Sequence, residues 1–159
     1  MLPPFVIGGA GIVRVSGWWL LPWAAIVFGY FGLLEIRVMC SHCPHYAEPG
    51  RSLKCWANYG SPKLWKYRPG PMSKMETFWF FVGLVAVFCY PLAFLLLGGQ
   101  WFLLLLFVLT TAAAGTTLKM FFCTQCMNFG CPLNEADERA RQAFFERNPE
   151  VARAWNVDQ

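Results

Sequence analysis

The sequence predicts an all-α integral membrane protein. Three transmembrane helices would carry a Cys-rich, loop-rich cytoplasmic cap and a short C-terminal amphipathic helix. Three observations lead there. The 159 residues are 57% hydrophobic and only 14% charged, against about 25% charged in an ordinary soluble domain. No Asp, Glu, Lys or Arg occurs from Thr77 to Leu118, a run more than twice the roughly 20 residues a membrane helix needs. Six of the seven cysteines follow directly on predicted spans.

Residues 1–16 form an N-terminal segment, apolar from Met1 to Val13, with Pro3, Pro4, Gly8, Gly9 and Gly11. They lack the basic start and small-residue cleavage site of a secretory signal. They read as a retained segment, interfacial or shallowly inserted. The first span is expected over 17–35. Trp18, Trp19 and Trp23 open it in the manner of an aromatic belt, and Glu35 and Arg37 close it. Pro22 lies in its first turns, where a missing N–H costs little.

Residues 36–75 form a polar loop, too long for a simple connection unless something orders it. Asn58-Tyr59-Gly60-Ser61-Pro62 and Arg68-Pro69-Gly70-Pro71 are turn chemistry. Tyr46, Trp56, Tyr59, Trp65 and Tyr67 are expected to pack this loop or meet lipid headgroups. The second span covers 76–97, with a kink expected at Pro91. Gly98-Gly99-Gln100 reverses the chain into the third span, 101–119. The small residues of Thr110–Thr117 suit close helix packing.

Residues 120–159 begin with cysteines and continue as a short charged helix. Asn134 is expected to cap it, Asn148-Pro149 to end it, and Phe144, Phe145 and Trp155 to pack on the loop.

Charge sets the expected topology. Of 13 Lys and Arg, Arg14 alone precedes the first span, seven lie from Arg37 to Lys74, and the rest follow from Lys119. Retained basic residues mark the cytoplasmic side. The amino terminus is thus expected outside, and the loop and tail inside. The net charge of +4 follows from the same bias and calls for no nucleic acid partner. No ionisable residue sits in the middle of a span, which argues against a pump or carrier. No Gly-rich phosphate loop, H-E-x-x-H or G-x-S-x-G occurs.

The chemical signal is the cysteine pattern. Cys40, Cys43 and Cys55 follow the first span, and Cys123, Cys126 and Cys131 follow the third. Both triplets open with C-x-x-C, a turn that lets two thiolates face one ion. Two such turns supply the four sulfurs of a tetrahedral zinc site or of an iron–sulfur cluster. The Cys43-Pro44 and Cys131-Pro132 pairs resemble the end of a ferredoxin ligand run, although the spacing differs from the bacterial pattern. In the cytoplasm clustered thiols read as metal ligands or redox groups rather than disulfides. His42 and His45 lie within the first triplet and are further candidate ligands. Cys89, inside the second span, reads as a small apolar residue.

Three functions follow. One is a non-catalytic membrane subunit whose metal, zinc or iron–sulfur, pins the loop to the tail and forms a cap for a protein partner. Another is a redox protein that exchanges electrons through an iron–sulfur centre or a dithiol with a quinone or soluble partner. The third is soft-metal handling or sensing. The first is the expectation carried forward.

Overall fold

The computed structural model describes residues 2–55 and 57–156. Trp56 lies outside the described residues. Among those described there is no strand; the one isolated bridge pairs Ser52 with Pro62. Three helices are long and apolar enough to cross a membrane: Gly17–His42, Lys74–Leu97 and Trp101–Gln125.

The segment expected to be interfacial or shallowly inserted forms a helix, α1 (Pro3–Val15). Pro3 and Pro4 preset the backbone of its first turn, where a missing N–H costs nothing. α1 packs along α4 (Lys74–Leu97) and α5 (Trp101–Thr117). Gly8 makes that approach feasible, since a Cβ there would stand 2.9 Å from the Pro91 ring and 3.2 Å from Phe107. Pro91 is buried in this contact, and α4 stays helical through it. Phe5 completes the seam against Trp23, Phe31 and Phe88.

The first long helix passes through α2 (Leu20–Gly29), a π turn at Tyr30–Leu34 and α3 (Glu35–Val38). It runs beside α4 and is fixed by two hydrogen bonds. Trp23 Nε1 donates to the Val87 carbonyl at 2.9 Å, and the Tyr30 hydroxyl donates to the Phe80 carbonyl at 3.1 Å. At the far end, Gln100 of the turn donates to the Gly11 carbonyl and Tyr90 to the Trp19 carbonyl. These bonds gather the end of α1, the start of the first long helix and the α4–α5 turn together.

The small-residue half of α5 does not pack inside the chain as expected. Thr110, Thr111 and Ala114 are half-buried, and Ala112, Ala113 and Gly115–Thr117 are exposed.

The polar segments collect at the opposite end. Ser73 and Glu76 form a reciprocal capping box that starts α4. The tail helix is α6 (Glu138–Arg147), capped by Asp137, whose carboxylate accepts from Arg139 N at 2.7 Å. Asn134, expected in that role, accepts from Ala136 N and donates to the Cys126 carbonyl. A further helix, α7 (Pro149–Ala154), follows Asn148. Trp155 donates to the Pro69 carbonyl at 2.9 Å and stacks near Phe145, which also meets Phe129. The tail thus packs on the loop.

Candidate thiol site

Two helix ends present the cysteines in the same way. Each passes through a π turn, Tyr30–Leu34 or Leu118–Phe122. Each then tightens into a 3₁₀ turn, Cys40–His42 or Cys123–Gln125. π turns are rare and concentrate at functional sites. In both, the second cysteine leaves the helix in extended conformation: φ −77°, ψ 137° at Cys43 and φ −81°, ψ 127° at Cys126. Its N–H bonds back to the carbonyl of the first cysteine, at 2.9 Å for Cys43 and 3.4 Å for Cys126. The hydroxyl between them donates four residues back, Ser41 to Arg37 and Thr124 to Met120.

The two ends meet. Cys40, Cys43, Cys55 and Cys126 all line one cavity of about 310 Å³, together with His45. Leu53, Phe121 and Phe122 give it apolar walls, and Met39 and Met127 add thioethers. Cys55 arrives on a tight turn anchored by fully buried Leu53, which packs with Ile36, Cys40 and Tyr46. Cys123 and Cys131 are not among the lining residues, yet Cys126 bears electrostatically on both, and Cys123 on Cys131. Among the described residues, no three His, Cys, Asp or Glu side chains converge closely enough to hold a metal ion. The four thiols surround a space instead of sharing a point.

Burial dominates the acidity of these thiols. It pushes Cys43 up to about 12, reinforced by the charges of Cys126 and Cys55. Cys131 rises to about 11 and Cys126 also rises, again chiefly through burial. Two amides reach sulfur: Asn58 Nδ2 donates to Cys40 Sγ at 3.2 Å, and Asn128 N donates to Cys126 Sγ at 3.4 Å. Asn58 also reaches Glu35 Oε1 at 3.4 Å. Glu35 is buried, and its second oxygen has no hydrogen-bond partner.

The histidines separate. His42 is buried; its Nδ1–H donates to the Gly70 carbonyl at 2.7 Å and its Nε2 lies 3.5 Å from Glu76 Oε2. His45 lines the cavity and pairs through Nδ1 with Glu48. That pairing is the main cause that holds the Glu48 carboxyl below its ordinary pKa. Cys89 is exposed on the outer face of α4 rather than buried.

A charge node braces the site. Glu76 holds Arg68, with Arg37 at 3.6 Å. Arg68 also donates to the Arg37 carbonyl at 2.7 Å and to Ser41 Oγ at 2.9 Å. Lys119 pairs with Glu135 at 3.0 Å on the tail side.

Asn58 in the sequence reads as a turn residue, and nothing there marks Asn128. Both act through approach of distant segments. Glu35 reads as a span-end charge that could meet the cysteine site, and it is buried beside Asn58, which also bonds Cys40. No family model, curated protein or solved structure matches this chain.

Proposed function

We propose that this chain is a small polytopic membrane protein that binds a metal centre through its thiols at the cytoplasmic face. The centre organises the loop and tail into a cap for a protein partner, and the chain acts as a non-catalytic subunit. One observation carries the reading: thiols from both triplets line a single cavity at one end of three apolar helices. The exposed indoles of Trp18, Trp19 and Trp101 at the other end suit an aromatic belt. The basic residues gathered at the cysteine end favour its cytoplasmic placement.

The test is metal and sulfide analysis of anaerobically purified protein, with limited proteolysis before and after chelation. The reading expects bound metal and faster cleavage of residues 36–75 once it is removed. Metal-free protein, or unchanged digestion, counts against it.

A redox protein exchanging electrons with a quinone or soluble partner is the second reading. The spread of the thiols around a space favours it, because a cluster needs room that a single structural ion does not.

A further inference from the structure

Resting on the metal–thiolate reading, we infer that the centre is an iron–sulfur cluster held by Cys40, Cys43, Cys55 and Cys126, with Cys123 and Cys131 outside the ligand set. A tetrahedral zinc site sets its sulfurs about 2.3 Å from one ion and therefore about 4 Å from each other. Among the described residues no such convergence occurs. The four thiols bound a cavity of about 310 Å³ instead. A cluster occupies such a space, because its thiolates bind different iron atoms at its corners.

The cavity also has the chemistry of a cluster pocket. Leu53, Phe121 and Phe122 make its lining largely apolar. Among the described residues no Asp or Glu lines it, so no carboxylate there competes with sulfur for iron. The Asn58 amide and the Asn128 main-chain N–H already point at two of the sulfurs, where such donors offset thiolate charge. On binding, each thiol gives up its proton and forms an iron–sulfur bond. Cys123 and Cys131 lie beyond the lining and remain thiols.

The experiment is anaerobic reconstitution of the full chain in detergent with ferric iron, a dithiol reductant and sulfide, and in a parallel arm with zinc alone. Iron, acid-labile sulfide and the absorption spectrum are measured for the wild type, C40S, C43S, C55S, C126S and the double variant C123S/C131S. The wild type should bind iron and sulfide in equal amounts. Each of the four single variants should lose most of both, and the double variant should keep them.

A footprint on loaded wild-type protein guards against variants that fail to fold. Alkylation should spare Cys40, Cys43, Cys55 and Cys126 and modify Cys123 and Cys131. Protein that takes up zinc on four thiols and no sulfide overturns the cluster but leaves the metal–thiolate reading standing. Protein that binds neither removes both. Protection of Cys123 or Cys131 gained on loading, relative to metal-free protein, overturns the ligand set.

Discussion

The side-chain amide of Asn128 donates to the main-chain carbonyl of Met39 at 3.1 Å, joining positions 89 apart. Met39 immediately precedes Cys40, and Asn128 follows Cys126 by two residues. One hydrogen bond therefore ties the first C-x-x-C turn to the second. Asn128 is only 4% exposed, so little water is at hand to replace the bond.

Asn128→Ala should loosen the tail. It strands the Met39 carbonyl and costs about 1–3 kcal/mol. Thermal unfolding in detergent should show a lower midpoint, and protease should cut residues 123–137 sooner. An unshifted midpoint and an unchanged digest would mean that the bond does not hold the two turns together.

Glu76 should matter more than a surface carboxylate. It caps α4 and faces Arg37, Arg68 and His42 at once. Its side chain is 17% exposed, but the two arginines are 42% and 33% exposed, so solvent screens much of the ion-pair energy. Glu76→Gln is expected to cost about 1 kcal/mol. Glu76→Ala, which also removes the capping box, should cost about 2 kcal/mol. Equal effects of the two variants in denaturant titrations would contradict this division.

Gly83 lies under the Tyr30 ring, and a methyl there would run into it. Gly83→Ala should push the first long helix from α4, strain the Tyr30–Phe80 bond and cost about 1–3 kcal/mol. Gly115 has nothing within 4 Å, and Gly115→Ala should be neutral or stabilising by up to about 1 kcal/mol. Comparing the two variants by thermal unfolding separates steric contact from helix propensity. Matching losses would refute the contact.

In metal-free protein the raised thiols predict alkaline sensitivity. Their folded values, about 12 for Cys43 and about 11 for Cys131, exceed the ordinary value of about 8.5. Above the ordinary value the unfolded chain releases protons that the fold retains. Stability therefore falls as pH rises from the ordinary thiol range toward these values, and none of this loss occurs below that range. Denaturation midpoints at pH 7, 9 and 10.5 should decline across the last two. C43S/C131S should flatten that decline, and an equal decline in the variant would place its cause elsewhere.

Much of the bundle was legible because apolar runs and turn residues are local signals. The uncharged stretch from Thr77 to Leu118, broken by Gly98-Gly99-Gln100, placed two helices within a few residues. The first long helix runs on past the charges read as its end. Glu35 is buried beside Asn58, and Arg37 finds Glu76, so neither charge forces the chain into water. α1 was hidden for a similar reason. Its prolines and glycines look like breakers until Pro91 and Phe107 fill the space beside Gly8.

At the site, C-x-x-C spacing identified the thiols. It could not show that Cys55 and Cys126 share a cavity while Cys123 and Cys131 do not. That division depends on how Leu53 buries and how Asn128 bonds, contacts made only after the chain has folded back.

The most direct measurement bridges Cys43 and Cys126 in a metal-free variant in which the other five cysteines are serine. A short bifunctional thiol reagent that fluoresces only when both ends react reports whether the two sulfurs face one space. The account predicts efficient bridging within one chain, with little in a matching variant that keeps only Cys89 and Cys126. Absence of bridging at Cys43 and Cys126, with each thiol separately reactive, would contradict a shared centre.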